Sequence, residues 1–264
     1  MPCAFFIGNR PMDIATVVGL ILGIGAVLVS FMMEGGQLSS LLQGPAMLLV
    51  IGGTFGAATI TTSLSQLKRL PKLLTIILVE KKLNAHELID IIFELAQKSR
   101  KNGLLSLENE LDNVKDNFLR KAIQLTIDGF EVSKIKESLE IEMSYIEERH
   151  KAGIIFFQKL GGFSPTFGII GTVLGLIHAL GSLEDSASAA TAIAGAFIAT
   201  LWGISLANLI YLPISDKLRA KHQEEALYLQ IITEGVLSLA MGDNPRVIKM
   251  KLLSFLLPKA RGEE

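Results

Sequence analysis

Four long apolar segments and one charged block divide this chain of 264 residues. No Asp, Glu, Lys or Arg occurs in residues 14–33, 35–67, 160–183 or 186–215. A helix that crosses a bilayer needs about 20 predominantly apolar residues, and each of these segments is long enough. The pattern therefore predicts four membrane-spanning helices, of which the second has its apolar core near residues 45–64.

The charged block lies between the second and third predicted spans. We therefore predict an all-α membrane protein with four transmembrane helices in a 2 + 2 arrangement and a large helical cytoplasmic domain between the pairs. The expected parts are residues 1–64 with the first two spans, 65–153 as the cytoplasmic domain, 154–215 with the last two spans, and 216–264 as cytoplasmic C-terminal helices. The N-terminus has no charged region followed by a cleavage site, so we expect the first span to be retained.

Positive charge is confined to one side of the predicted spans. Residues 65–153 contain 15 Lys or Arg and residues 215–264 contain 8, whereas the loops at 34–44 and 183–186 contain none. Segments rich in Lys and Arg stay in the cytoplasm. This distribution places both termini and the charged block in the cytoplasm.

Helical periodicity runs through the charged block. Asn84 followed by Glu87 is typical of a helix start, because the Asn side chain accepts backbone N–H groups and Glu87 can reach back. Gly103 is predicted to end this helix by adopting the left-handed backbone conformation. Its apolar face consists of Leu88, Ile92, Leu95 and Ala96.

Further helices are predicted around the last two spans. Two short ones cover 106–114 and 117–128. A long helix begins near Ser133 and runs into the third span. The fourth span continues as a charged helix to Met241, and a final amphipathic helix covers about 245–257.

The last two spans carry matching stripes of small residues and threonine. The stripes are Gly168, Thr172, Gly175 and Ala179 in the third span, and Ala196, Thr200, Gly203 and Ala207 in the fourth. The spacing of 4, 3 and 4 puts each stripe on one helix face, where small residues allow close approach. Because each threonine lies near the middle of its span, we expect the two hydroxyls to face the same seam. The alternative is that each hydroxyl bonds to the carbonyl four residues earlier.

Two prolines lie at the cytoplasmic ends of these spans. Pro165 and Pro213 each remove a backbone hydrogen bond and bend the helix. With Gly161 and Gly162 nearby, Pro165 suggests a hinge or a constriction, although prolines are also common at ordinary helix ends. His178, near the outer end of the third span, is interpreted as a structural hydrogen-bonding residue.

The composition excludes several functional classes. A mean hydropathy of +0.45 is too high for a soluble domain of this size, and the single cysteine, Cys3, excludes disulfides within the chain. The sequence has no phosphate-binding P-loop and no metal-ligand spacing, so we predict no enzyme, no metal site, no cofactor and no nucleic-acid binding. The cores of the spans also lack the charged residues that proton relays use, so an ion carrier would have to come from a partner chain. Trp202 is interpreted as a packing residue.

Three segments carry a resemblance to a known family. They are M-D-I-A-T at 12–16, K-S-R-K-N-G-L-L-S-L-E at 98–108, and G-F-S-P-T-F-G-I-I-G-T-V-L-G at 162–175. The chain resembles the MotA/PomA family of flagellar motor stator subunits from residue 12 nearly to the C-terminus. Residues 1–11 lie outside the resemblance.

The resemblance implies a rotor contact in the charged block. Arg100, Lys101 and Glu108 match the charged segment that engages the rotor protein FliG in this family. Without the resemblance, such residues would be interpreted as solvated charges at helix ends, and Arg100 near a helix C-terminus also complements the helix dipole.

The resemblance also implies an ion path and a partner. Thr172 and Thr200 match threonines that line the path, and Pro165 and Pro213 match prolines that couple ion flow to motion. The implied partner is MotB, a single-span protein that carries the membrane Asp and a peptidoglycan-binding domain. Five chains would form a ring around two MotB chains in the bacterial inner membrane, and rotation of the ring would drive the rotor.

Two other functions remain open at this stage. ExbB and TolQ proteins share the ring principle and the Thr- and Pro-bearing seam, but they have three spans. A self-sufficient secondary transporter would be expected to have an intramembrane ionisable site or broken helices in inverted repeats. The driving ion is expected to be the proton, although Thr172 also matches sodium-driven relatives.

Overall fold

The structure, a computed structural model, describes residues 13–78, 83–256 and 258. Every regular element within these residues is helical, which confirms the predicted all-α class. The described residues form two compact units, which draw on residues 1–81 with 150–219 and on residues 82–149 with 220–264. We call them the apolar unit and the charged unit.

The first part of the apolar unit contains four helices. They are α1 (Ile14–Met33), α2 (Gly44–Ile60), α3 (Leu64–Leu67) and α4 (Leu70–Leu78). A 3-10 turn at Leu38–Leu41 follows α1, and a π-turn at Leu48–Gly52 lies within α2. Asp13 caps α1 by accepting a hydrogen bond from the backbone N–H of Thr16.

Two long helices connect the units along the chain. They are α7 (Val132–Gly181) and α8 (Ser186–Ala240), and a π-turn at Ala207–Tyr211 lies within α8. The charged unit also contains α5 (Ala85–Asn102), a 3-10 segment (Leu104–Asn113), α6 (Asn117–Ile127) and α9 (Pro245–Leu253).

Within the described residues, three helices are long and apolar enough to cross a membrane. These are α1, α7 and α8. The second predicted span is represented by α2, a shorter apolar helix of 17 residues, so it covers less than the predicted core of 45–64. The chain is therefore a multi-pass membrane protein with at least three candidate spans in its described part.

Each unit has its own hydrophobic core. In the charged unit, Leu88, Ile92 and the other predicted face residues of α5 are buried. In the apolar unit, buried residues such as Val50, Leu160 and Ala199 form a second cluster. The predicted face of α5 is therefore confirmed.

The predicted start of α5 is also confirmed, because Asn84 Oδ1 accepts the Glu87 N–H at 3.3 Å. Gly103 follows the last residue of the helix with φ 85° and ψ 163°, so its φ is positive but its backbone is extended, not left-handed helical. The short helix predicted at 106–114 is present as a 3-10 helix, which begins two residues and ends one residue earlier than predicted. In a 3-10 helix residues three apart share one edge, and this geometry buries Leu107.

The long helices match their predicted course closely. α7 begins at Val132, one residue before the predicted start, and continues without a break through Pro165. α8 ends at Ala240, one residue before the predicted end. α9 is shorter than predicted, because Leu253 is its last residue and turns follow it; residue 257 lies outside the described residues.

Candidate functional site

The candidate site is the seam where the apolar part of α7 packs on the apolar part of α8. Where the two backbones meet, a Cβ added to Gly168 would lie 3.1 Å from the Ala199 carbonyl oxygen and from Thr200 Cα. A Cβ added to Gly203 would lie 2.8 Å from the Ser164 carbonyl oxygen. Real Cβ atoms are almost never as close as 2.8 Å to another atom and are rarely as close as 3.1 Å, so glycine at these two positions permits the close approach.

The close approach extends along the seam toward the loop between α7 and α8. A Cβ on Gly175 would lie 2.6 Å from the Cβ of Ala196. A Cβ on Gly171, which the predicted stripe did not include, would lie 2.5 Å from the Cβ of Ala199. The prediction that small residues form the contact between these helices is confirmed.

Thr172 and Thr200 lie at the centre of the seam. Their hydroxyl oxygens are hydrogen-bonded to each other, which confirms that they face the same seam. Thr172 Oγ1 also lies 3.1 Å from the Gly168 carbonyl, four residues earlier, and 3.4 Å from the Ala196 carbonyl. Thr200 Oγ1 instead lies 3.3 Å from the Gly168 carbonyl on the opposite helix. The alternative of bonding within the same helix therefore holds for Thr172 and not for Thr200.

The threonine pair offers hydrogen-bonding capacity at mid-seam. Each hydroxyl has one proton to donate and two lone pairs that can accept a hydrogen bond. When two hydroxyls bond each other, only one of their two protons lies between the oxygens. Both side chains are only partly buried, so the pair is accessible from one side of the seam. The arrangement can therefore bind a carboxylate or a hydrated cation presented by another chain.

Two buried serines bond α7 to α8 beside the prolines, and the sequence reasoning missed both. Ser164 Oγ donates to the Gly203 carbonyl at 2.9 Å, and Ser215 Oγ donates to the Ile154 carbonyl at 3.1 Å. Ser164 immediately precedes Pro165, and Ser215 follows Pro213 by two residues. A polar residue next to proline in an apolar segment was the signal available in the sequence.

An ion pair joins the start of α1 to α8. Lys217 Nζ lies 2.5 Å from Asp13 Oδ2, and the Asp13 side chain is only 11% exposed. The hydrogen bond from Lys217 lowers the pKa of Asp13 from its ordinary value of 3.8, despite a smaller opposing effect of burial. This long-range pair was not predicted from the sequence.

The end of the seam next to the loop between α7 and α8 opens into a groove between α2, α7 and α8. Its volume is about 660 Å³, and its polar lining includes Gln43, His178 and Thr191. Nearby, the Trp202 indole N–H donates to the Leu41 carbonyl at 2.8 Å. The interpretation of Trp202 as a packing residue was thus incomplete, since it also anchors the 3-10 turn after α1.

The three predicted rotor-contact residues lie in the charged unit. Arg100 and Lys101 are in the last turn of α5, Glu108 is in the following 3-10 segment, and all three are exposed. None of them forms an ion pair with another residue in the described part of the chain. Neighbouring Lys98, by contrast, bonds Glu110 at 2.8 Å and lowers its pKa.

These features define an all-α membrane protein with a threonine pair at the centre of a seam that has no charged residue, and with a separate charged unit. Two family models match the chain. The MotA/TolQ/ExbB proton channel family matches residues 110–231, and the Motility protein A N-terminal family matches residues 17–103.

Full-length relatives point the same way. The chain is 35% identical to Motility protein A of Borreliella burgdorferi over 96% of its own length and 97% of the relative. It is 36% identical to Motility protein A of Bacillus subtilis, covering 95% of this chain and 93% of the relative. It is 33% identical to Chemotaxis protein PomA of Vibrio alginolyticus, covering 93% and 96%.

Two solved structures share the fold. One is described as the C. jejuni MotAB structure, with a TM-score of 0.88, 32% identity and coverage of 93% of this chain and 96% of that one. The other is described as the flagellar MotAB stator complex from Bacillus subtilis, with a TM-score of 0.87, 35% identity and coverage of 94% and 97%. The chain belongs to the MotA/PomA family of motility proteins. It is a flagellar motor stator subunit of the motility protein A type.

Proposed function

We propose that five copies of this chain form a ring around two MotB chains, and that proton flow through the complex turns the ring and exerts torque on the rotor. The central support is the Thr172–Thr200 hydroxyl pair, which lies in a seam without any Asp, Glu, Lys or Arg. Such a pair can bind a protonatable group but cannot itself carry a proton across the membrane. The carrier is therefore the carboxylate of the MotB span.

The hydroxyl pair acts by hydrogen-bonding this carboxylate as its charge changes. A threonine hydroxyl donates to an ionised carboxylate and accepts from a protonated one, so it can stabilise both states in turn. Pro165 and Pro213 flank the seam on α7 and α8 and pass the resulting shift toward the charged unit. Both similar solved structures are described as MotAB complexes, which supports a MotB partner.

The chain crosses the bacterial inner membrane four times in a 2 + 2 arrangement, with α2 as the second span. A helix of 17 residues is at the short end of the range for a span. Both termini and the charged unit lie in the cytoplasm, because Lys and Arg are concentrated in these segments.

In the cytoplasm, Arg100, Lys101 and Glu108 form the contact with FliG. Their exposure and their lack of ion pairs with other described residues support this role, because they are available for complementary charges on another protein.

Ion flux measured with and without the partner tests the proposal. The purified chain in liposomes should conduct neither protons nor sodium ions, whereas the chain purified with its MotB should conduct protons along an imposed pH gradient. A sodium gradient at constant pH should give no flux. Substantial flux through the chain without a partner would contradict the two-subunit mechanism, and flux driven by sodium alone would contradict the choice of ion.

A further inference from the structure

The segment that follows α2 is basic, and no acidic residue lies near it in the sequence. From residue 35 to residue 79 the chain contains no Asp or Glu, and its only charged residues there are Lys68, Arg69 and Lys72. Lys68 and Arg69 lie in the turn between α3 and α4, and both are exposed. Neither forms an ion pair with any residue that the structure describes. Both positive charges are therefore available to an anion from outside the chain.

Large apolar side chains beside this turn are exposed. Ile60, the last residue of α2, is 87% exposed, and Leu64, the first residue of α3, is 77% exposed. On α4, Leu73 and Ile77 pack into the apolar unit, whereas Leu74 on the other side is exposed. Exposed apolar side chains next to unpaired cations suit the surface of a bilayer, because acyl chains and phosphates meet there.

The length of α2 places this turn at the level of the phospholipid headgroups. α2 has 17 residues, which corresponds to about 25 Å at a rise of about 1.5 Å per residue. The hydrocarbon core of a bilayer is about 30 Å thick, so a span of this length ends close to its boundary. In the topology proposed above, this end of α2 faces the cytoplasm. The chain beyond Ile60 therefore enters the headgroup layer of the cytoplasmic leaflet.

We propose that this surface is a binding site for an anionic phospholipid of the cytoplasmic leaflet. Lys68 and Arg69 bind the headgroup phosphate, and Ile60 and Leu64 contact the acyl chains. The Arg69 guanidinium can donate two parallel hydrogen bonds to phosphate oxygens, and Lys68 adds a charge on a flexible side chain. A zwitterionic headgroup offsets its own phosphate with a cation, so the site prefers a lipid with net negative charge. The inference uses the proposed topology and goes beyond the proposed function.

Lipid retention by the complex purified with MotB tests this site. The complex in detergent is incubated with equal amounts of phosphatidylglycerol and phosphatidylcholine, and the lipid that stays bound through gel filtration is measured by mass spectrometry. Each basic residue near anionic lipid contributes about fivefold, so the two residues should give the wild type a preference of about 25-fold for phosphatidylglycerol. Lys68→Gln combined with Arg69→Gln should reduce this preference by about fivefold or more. Lys68→Arg combined with Arg69→Lys should keep it.

Two exposed basic residues of the charged unit, Lys115 and Arg246, provide the matched control. Lys115→Gln combined with Arg246→Gln removes the same amount of charge and should leave the preference unchanged. An equal loss in both double variants would show a general effect of net charge and would overturn the site. An unchanged preference in Lys68→Gln with Arg69→Gln would also overturn it. Lipid retention requires neither ion flux nor torque, so failure of this inference and failure of the proposed function can be told apart.

Two further measurements distinguish the lipid from other occupants of this surface. Inorganic phosphate, added at constant ionic strength, should not displace phosphatidylglycerol, because it has no acyl chains to contact Ile60 and Leu64. Leu64→Gln should leave the size of the complex in gel filtration unchanged. Displacement by inorganic phosphate would show a site for a soluble anion, and a smaller complex in Leu64→Gln would show that a second copy of the chain covers this surface. Either result would overturn the lipid site.

Discussion

Gly168 and Gly203 bring two membrane helices into backbone contact: Gly203 Cα lies 3.3 Å from the point where a Cβ on Gly168 would be. The same contact places the Gly168 carbonyl within 3.3 Å of the Thr200 hydroxyl. Because the two backbones are this close, the Thr200 hydroxyl of α8 can reach the Gly168 carbonyl of α7.

Alanine at Gly168 should therefore separate the helices. Gly168→Ala is expected to lower the free energy of unfolding of the purified complex in detergent by about 1–3 kcal/mol, because a Cβ only 3.1 Å from the Ala199 carbonyl oxygen and Thr200 Cα requires the α8 backbone to shift by a few tenths of an ångström. Gly162→Ala is the matched control on the same helix, since a Cβ there meets nothing within 4 Å. It should be neutral or stabilising by up to about 1 kcal/mol through better helix propensity. Equal effects of the two substitutions would argue against the close contact.

Removal of the Thr200 hydroxyl should stop the motor while the protein still assembles. Thr200→Val keeps the branched shape but cannot bond Thr172 or the Gly168 carbonyl, and a barrier raised by about 1.4 kcal/mol slows ion transfer tenfold. Thr200→Ser keeps the hydroxyl and should remain motile, although a lost methyl group costs about 1 kcal/mol of packing. The measurement is rotation speed of tethered cells at matched expression.

Thr191→Val provides the control for this series. Thr191 lies on the same helix, but its hydroxyl bonds only the Ala187 carbonyl of its own helix, at 2.9 Å. This variant should rotate at nearly wild-type speed. Normal speed in Thr200→Val would reduce Thr200 to a packing residue.

Charge reversal at the proposed rotor contact should reduce torque and leave membrane assembly intact. Arg100→Glu or Glu108→Arg changes an exposed residue, where substitutions usually alter stability by less than about 0.5 kcal/mol. Stall torque should fall because complementary charges become repulsive, and reversing the opposing charge on FliG should partly restore it. Arg246→Glu, another exposed arginine of the charged unit, should leave torque unchanged. Normal stall torque in both Arg100→Glu and Glu108→Arg would place the contact elsewhere.

The Asp13–Lys217 pair should contribute pH-dependent stability. Asn at position 13 can still cap α1, so Asp13→Asn isolates the ion pair, which we expect to contribute about 1–3 kcal/mol at neutral pH. Because the folded-state pKa of Asp13 is lowered, this stabilisation is present above the ordinary value of 3.8 and is lost as the pH falls through the lowered folded-state pKa. The free energies of unfolding of the wild type and of Asp13→Asn should therefore differ at pH 7 and become equal in strong acid.

An exposed ion pair nearby provides the comparison. Asp216 lies 3.5 Å from Arg219 and is 71% exposed, so Asp216→Asn should change stability by less than about 0.5 kcal/mol. The stabilising role of the Asp13–Lys217 pair would be contradicted if Asp13→Asn changed the free energy of unfolding no more than Asp216→Asn does. It would also be contradicted if the effect of Asp13→Asn grew in acid.

The predictions from the sequence succeeded where one helix determines the outcome. The cap at Asn84 and the course of α7 and α8 depend on periodicity and local side chains, which one segment contains. The contact of Thr172 with Thr200 was also predictable, because matching 4, 3, 4 spacings on antiparallel helices bring the same depths together.

Features that depend on distant parts of the chain escaped the sequence reasoning. The Asp13–Lys217 pair joins residues 204 positions apart, and many lysines and aspartates could have been paired. The two π-turns are invisible to a 3.6-residue period, since the extra residue is accommodated through packing against neighbouring helices. The sequence predicted a short helix after Gly103 but not its 3-10 type, because both helix types place leucines three or four residues apart on one side.

The sole tryptophan of the chain is bonded through its indole N–H to the carbonyl of Leu41, in the short turn that follows α1. Indole fluorescence depends on the polarity around the ring and on the partner of its N–H. Trp202 also lies on α8, two residues after Thr200. The chain consequently carries a built-in optical reporter at this joint, and its emission spectrum can follow rearrangements there without any attached dye.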